Sequence, residues 1–436
     1  MIVYQTDLLS GIQCVIYFGC LYRNKMKTPF HVIYPMVIVL VTAKPQRTFL
    51  DNFSYKGRIT RVLLDQFADG ARVQYARNPM NYLQRSQPFI NDSAPFYCNT
   101  NGFRSSTRPD SIHRLQPGDI DVIGAMGDSL TAGFGALSHT QFDLIRDYRG
   151  VSFPIGGEKT WRQYLTLPNI LKLYNPNLIG YSLRTSNTFE KASQFNVAED
   201  SAISSDLPYM TKILLKRITS DSRVNIKEDW KMIIIFMGSN NFCQFCFDGS
   251  IEDILQRHKE DLVEVLRMLR DNLPRTFVTL INPPYVNLLG SFRNIPSTCH
   301  IAQRLSCPCI VGDTFKGRRD EVPELIKRWH LLEEEIANYK EFQTEDFIVV
   351  DQPLFQEATI PRNSKGDADL TYFAADCFHF SQKGHALIAK ALWNNIMSPV
   401  SEKQKTIFSD EFRCPSERLP YLYTNKNSPH KAMVIK

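Results

Sequence analysis

Four stretches of the chain are apolar and short enough to be strands buried on both faces: 120–125, 232–237, 276–281 and 347–351. Other segments carry apolar residues every three or four positions. Residues 206–217 set Met210, Ile213 and Leu214 on one helical face, and 251–272 do the same with Ile254, Leu255, Leu262, Val265, Leu266 and Leu269 before Pro274 stops the run. A charged amphipathic helix is predicted over 321–342 and a closing helix over 381–396. Strands alternating with helices call for a mainly parallel sheet covered on both sides, an α/β fold of three layers (α/β/α). A helical stretch is also expected at 58–75. Residues 138–176, heavy in glycine, proline and aromatic residues, show little periodicity and read as a long loop.

In sheets of this kind, sites gather at the carboxyl ends of the strands. The first strand empties into Gly127-Asp128-Ser129, with Gly133 four residues past the serine. A hydroxyl at that place is useful as a nucleophile only if a base removes its proton and donors stabilise the resulting oxyanion. Asp376-Cys377-Phe378-His379 supplies an imidazole with an acid three residues earlier, and the second strand ends in Gly238-Ser239-Asn240-Asn241, where a carboxamide can donate. An isolated Gly-Asp-Ser would merely satisfy a turn. His385, on the closing helix, and His258 and His330 read as packing or surface residues, and Asp128 as an organiser of the turn.

The wording around these positions resembles the GDSL, or SGNH, hydrolases, and within them the phospholipase B branch. The resemblance rests on Gly127-Asp128-Ser129-Leu130-Thr131-Ala132-Gly133, Thr166-Leu167-Pro168-Asn169-Ile170-Leu171, Phe195-Asn196-Val197-Ala198 and Asp376-Cys377-Phe378-His379-Phe380-Ser381. Lys383-Gly384-His385 and Leu392-Trp393-Asn394-Asn395 extend it. It runs from about residue 110 to about 423, with the blocks in the family's order. The resemblance implies an SGNH sandwich, a serine esterase without metal or other cofactor, catalytic Ser129, His379 and Asp376, and an oxyanion hole from Ser129, Ser201 and Asn240. The implied substrates are phospholipids and lysophospholipids, met at a membrane surface. The long loop at 138–176 would then be a lid, a wall for the acyl chain, or simple packing.

Two positions depart from the family's pattern. Asn241 stands where aspartate is usual, a change expected to act through neighbours rather than on substrate. Ser201 stands five residues after Asn196, where glycine is usual; it keeps an N–H to donate, but a positive φ there would be unfavourable for its Cβ. Glu199 and Asp200 would also oppose a developing negative charge. The alternatives are therefore an esterase or deacetylase for a non-phospholipid ester, and a lipid-binding pseudoenzyme.

Composition narrows the setting. The net charge of +6 is spread over 51 basic and 45 acidic residues in 436, without the basic block that nucleic-acid binding would need. Near the amino terminus, Arg23 to Lys27 precede an apolar stretch at 30–41 that ends in Val41-Thr42-Ala43, the pattern of a secretory signal peptide cleaved near Ala43. An uncleaved membrane anchor is the alternative, and Met26 is a second candidate start beside Met1. Eight of the ten cysteines lie beyond Ala43, an even number that in an exported chain favours disulfides of unreadable connectivity. Cys243/Cys246 with Cys307/Cys309 could instead hold zinc or form a redox pair. Sequons at Asn52 and Asn91 fit a secreted glycoprotein. The expected organisation is an upstream extension and signal peptide at 1–43, an amino-terminal extension at 44–109, the hydrolase domain at 110–423 and a polar tail at 424–436. That tail lacks the hydrophobic end of a lipid-anchor signal.

Overall fold

The computed structural model describes residues 84–428, apart from 141–142, 314–315 and 410, together with two short strands, Gln5–Leu8 and Ile12–Val15, that pair antiparallel. The signal-peptide stretch, the helix expected at 58–75 and the Asn52 sequon lie outside the described residues.

The central sheet has four strands, β1 (Ile120–Gly127), β2 (Trp230–Phe236), β3 (Thr276–Ile281) and β4 (Phe347–Gln352), all parallel and in chain order. Gly127 pairs with Phe236, Phe236 with Ile281 and Ile281 with Gln352, so the four carboxyl ends form one level edge. Beyond β1 the sheet is continued only by single parallel bridges, Val122 with Ile179 and Ala125 with Asn196.

Nine α-helices surround the sheet among the described residues: α1 (Ser129–Ala132), α2 (Leu167–Tyr174), α3 (Leu207–Ser220), α4 (Ser239–Gln244), α5 (Ile251–Asn272), α6 (Ser297–Ser306), α7 (Pro308–Val311), α8 (Val322–Ala337) and α9 (Gln382–Ile396). Alternate residues of each strand feed opposite cores, as the two-residue period of a strand requires. Ile123, Ala125, Ile234, Phe236 and Ile348 pack with α2 and α9. Val122, Met126, Ile233, Ile235 and Val349 pack with α3, α5 and α8. This is the three-layer α/β/α sandwich.

Local signals account for the helix bounds. Ser250 and Asp253 form a reciprocal capping box at the start of α5, and Ser381 caps α9 by accepting the Gly384 N–H at 3.2 Å. α8 ends at Ala337, short of the expected 342, because Asn338 turns its side-chain amide back to the Glu334 carbonyl and a separate 3-10 turn, Lys340–Phe342, delivers Phe342 to the core. The loop read at 138–176 contains a helix, α2, whose Thr166 cap accepts the Asn169 N–H. Its remainder packs: Phe153, Ile155 and Trp161 join the core, and the Gly157 Cα lies so close to the Tyr181 ring that a Cβ would sit 2.1 Å from it.

All eight cysteines beyond Ala43 form disulfides: Cys98–Cys414, Cys243–Cys307, Cys246–Cys309 and Cys299–Cys377. The two close pairs that might have held zinc are bonded crosswise to each other instead.

Candidate active site

Ser129 is the first residue of α1, a single turn fed directly by β1. Asp128 caps that turn, its carboxylate accepting the Leu130 N–H at 2.9 Å, and Gly133, at φ 72°, ends it. Gly127 is required by close approach, since a Cβ there would lie 2.4 Å from the Phe236 carbonyl oxygen. Burial pushes the Asp128 carboxyl up to about 7, against the pull of the Leu130 N–H. These contacts make Asp128 part of the turn that presents the serine.

The loop holding Asp376 and His379 returns between a bridge of Phe373 with Phe380 and a hydrogen bond from Ala374 N–H to the His379 carbonyl at 2.8 Å. His379 Nε2 lies 2.8 Å from Ser129 Oγ, and its Nδ1 lies 2.6 Å from Asp376 Oδ2. The other carboxylate oxygen, Oδ1, accepts the N–H groups of Phe378 and His379 at 3.0 and 3.1 Å. Ser129, Asp376 and His379 are all less than a tenth exposed. Burial works against charge on both members of the pair, yet their mutual attraction prevails: Asp376 is held below the usual carboxylate range and His379 above 6.5, with Asp200 and Asp128 adding to the latter.

Asn240 sits in the first turn of α4, after Gly238 at φ 140°. One hydrogen of its amide goes to the Ala202 carbonyl at 2.9 Å, which leaves the second. Ala202 closes the turn that contains Ser201, and that turn is fixed to the end of β1 by the Glu199 N–H on the Gly127 carbonyl at 3.1 Å. Ser201 does occupy a left-handed conformation, φ 60°, with an exposed side chain. The glycine-like geometry is present with a serine in it. Asn241 accepts the Ser204 N–H at 3.0 Å and so braces the 3-10 turn, Ser204–Asp206, that follows. Thus Ser129, His379 and Asp376 are in direct sequence of contact, and Asn240 on α4 is joined through Ala202 to the turn that holds Ser201, itself tied to the end of β1.

His385 and His330 are buried in packing contacts. His385 takes the Phe153 N–H on Nδ1 at 3.2 Å, and burial lowers its pKa to about 3. His330 contacts the Pro283 carbonyl at 2.7 Å. A node that sequence reading missed is Arg149, fully buried, which pairs with Asp147 at 2.9 Å and donates to Asn196 Oδ1 at 3.1 Å. Asn196 in turn donates to the Thr131 carbonyl, so the third sequence block ties the serine turn to the 183–198 loop. A buried arginine with carboxylate partners two residues away carries no periodic signature to find it by.

Residues next in the chain to the serine and the base line an apolar groove. Leu130, Ser239 and Phe378, the chain neighbours of Ser129, Asn240 and His379, line it together with Val286, Leu289, Phe355, Ala358, Ile360 and Leu387. No described residue of 138–176 lines this groove. Together these residues set a hydroxyl against an imidazole that is paired with a carboxylate.

Comparison with known proteins places the site in a family. The model of the GDSL-like lipase/acylhydrolase family matches residues 123–392. The chain is 35% identical to the membrane-associated phospholipase B1 of Homo sapiens over 366 residues, 81% of this chain and 24% of that one. It is 32% identical to the Mus musculus protein of the same name over 424 residues, 95% of this chain and 28% of that one. The chain therefore spans about a quarter of the length of these relatives. Among solved structures it is similar to phospholipase A1 from Streptomyces albidoflavus NA297, at 16% identity, 61% of this chain, 95% of that one and a TM-score of 0.30. An extracellular lipase from Streptomyces rimosus is similar at 14% identity, 61% and 94% coverage and a TM-score of 0.31.

Proposed function

The chain belongs to the GDSL-like lipase/acylhydrolase family, and on that premise we propose that it is a serine esterase removing acyl chains from phospholipids and lysophospholipids through an acyl-enzyme on Ser129. The observation that carries this reading is the unbroken line Asp376–His379–Ser129, at 2.6 and 2.8 Å; an apolar groove lined by Leu130 and Phe378, the chain neighbours of Ser129 and His379, supports it.

In the first half-reaction Ser129 Oγ attacks the ester carbonyl as its proton passes to His379 Nε2. Asp376 keeps the second imidazole proton on Nδ1 and stabilises the imidazolium. The carbonyl oxygen, now negative, takes hydrogen bonds from the Ser129 N–H, the free hydrogen of the Asn240 amide and the Ser201 N–H. His379 then returns its proton to the leaving alcohol, the lysophospholipid or glycerophospho group. In the second half, water takes the alcohol's place, losing a proton to His379 as it attacks the acyl-enzyme, and Ser129 recovers its proton as the fatty acid leaves. A fluorophosphonate probe tests the premise: labelling of the folded protein that disappears with Ser129→Ala supports an activated serine, and an unlabelled parent chain argues for a lipid-binding pseudoenzyme.

Asn240→Ala removes one oxyanion donor and is expected to lower kcat by on the order of a hundredfold or more, with KM little changed. Steady-state kinetics on a lysophospholipid checks it. Ala358→Trp fills the groove away from the reacting atoms. Turnover of a long-chain ester should fall by on the order of tenfold or more while acetyl-ester turnover survives, since only the long chain must enter. Equal loss on both esters would count against the groove as the acyl site.

Four disulfides support export, because cytosolic thiols stay reduced. Asn91 is exposed, and its side-chain oxygen accepts from both the N–H and the hydroxyl of Ser93 at 2.9 Å, an open Asx turn on the sequon. Expression in cultured animal cells should put the protein in the medium with an N-glycosidase-sensitive mass at Asn91. Retention in the cytosol with free thiols would overturn that localisation.

A further inference from the structure

The helix α6 lies outside the sandwich, yet its inner face grips the loop that carries the acid and base. Cys377, between Asp376 and His379, adopts φ 56°, a left-handed conformation that is unfavourable for a non-glycine residue and persists only where surroundings hold it. Two side chains one helical turn apart supply that hold. Cys299 is bonded to Cys377, and Gln303 donates its amide to the Cys377 carbonyl at 2.7 Å. Both are almost wholly buried. The reversal at Cys377 lets a single carboxylate do two things: Asp376 Oδ1 closes the loop on the Phe378 and His379 N–H groups, and Oδ2 faces His379 Nδ1. At the loop's other end the Ser138 hydroxyl accepts the Ala375 N–H at 3.1 Å.

We propose that Cys299 and Gln303 of α6 are positioning residues for the acid–base pair, the disulfide fixing the place of the Cys377 backbone and the amide fixing its rotation. The inference rests on the assignment of His379 as the base. Its physical basis is that proton transfer depends steeply on geometry, a misplacement of about 1 Å costing on the order of a hundredfold. A disulfide could instead serve global stability alone, and a control separates the two roles. Cys246–Cys309 spans 63 residues against 78 for Cys299–Cys377 and joins the turn after α4 to α7, the helix that follows α6, rather than to the loop of Asp376 and His379.

The experiment compares the parent chain with Cys299→Ala/Cys377→Ala, Gln303→Met and the control Cys246→Ala/Cys309→Ala, each well below its own melting temperature. Two readouts are taken: kcat and KM on a lysophosphatidylcholine, and the downfield proton NMR resonance of the His379 Nδ1–H held by Asp376. The clamp double variant should lose on the order of a hundredfold in kcat, with KM within about twofold, and its downfield resonance should shift or broaden. Gln303→Met, which leaves the Cys377 carbonyl unpaired but keeps the disulfide, should lose on the order of tenfold and supplies the decision if the double variant does not fold. The control should keep both kcat and resonance. Parental kcat and resonance in the clamp variants, or equal losses in the control, would overturn the proposal. A parent chain without turnover would refute the esterase assignment, and the resonance would still decide whether α6 positions the pair.

Discussion

Ser129→Ala is expected to reduce fatty-acid release from a lysophospholipid by on the order of 10⁴-fold or more, because the acyl-enzyme has no atom on which to form. The fold should not change. The Ser129 side chain makes its hydrogen bond to His379, while the turn itself is held by Asp128 on the Leu130 N–H and by the Phe134 N–H on the Ser129 carbonyl at 2.9 Å, all of which survive the substitution. Fatty-acid release measured beside a thermal melt checks both halves of the expectation. A residual rate within tenfold of the parent, in a protein of unchanged melting temperature, would remove Ser129 from the mechanism.

Asp376→Asn should be nearly as damaging, for a different reason. A carboxamide in place of the carboxylate can turn its NH₂ toward His379 Nδ1, which then becomes an acceptor, and the proton moves to Nε2, the atom 2.8 Å from Ser129 Oγ. A protonated Nε2 cannot accept the serine proton, so kcat should fall by on the order of 10⁴-fold. The pH profile gives a second handle. His379 in the folded parent chain is held above 6.5 despite its burial, chiefly by Asp376. The neutral imidazole is the active form, so the acid limb of kcat/KM should lie above 6.5 and activity should fall as pH drops through it. Removing the Asp376 charge lowers that pKa, and the acid limb of any residual activity should move to lower pH. An unmoved limb would mean that another group reports there.

The four strands and the long helix at 251–272 were readable because parallel strands buried on both faces are nearly continuous apolar runs and because α5 carries a sustained apolar stripe that Pro274 stops. The positions of Ser129, Asn240 and the Asp376–His379 loop were readable too. Each follows from a strand end or a short local spacing, and the folded chain brings Ser129, His379 and Asp376 into hydrogen-bond contact, with Asn240 bonded to Ala202 on the neighbouring turn. What could not be read is non-local. The groove is built from residues near 286, 358 and 387, which share no period and meet only when α9 and the loops after β3 and β4 converge. Disulfide pairing is set by three-dimensional proximity, so the crosswise bonding of Cys243 and Cys246 to Cys307 and Cys309 had no linear signal. α2 was missed because its eight residues give barely two turns of periodicity inside a glycine- and proline-rich stretch, leaving only the Thr166 cap and Pro168 as clues. The sign of the backbone angle at Ser201 was posed as a condition by the missing glycine; its value, φ 60°, comes from how the 199–202 turn docks on β1.

Ser201 also sharpens the functional question. A left-handed serine beside Asp200 costs more than glycine would, but its N–H remains in the backbone and its side chain points to solvent. The most direct measurement is mass spectrometry of the products formed from a phosphatidylcholine carrying two different acyl chains, with the parent chain and Ser129→Ala compared side by side. The account predicts Ser129-dependent release of both fatty acids, ending in glycerophosphocholine. Intact phosphatidylcholine after incubation with the well-folded parent chain, or equal release by the alanine variant, would contradict it.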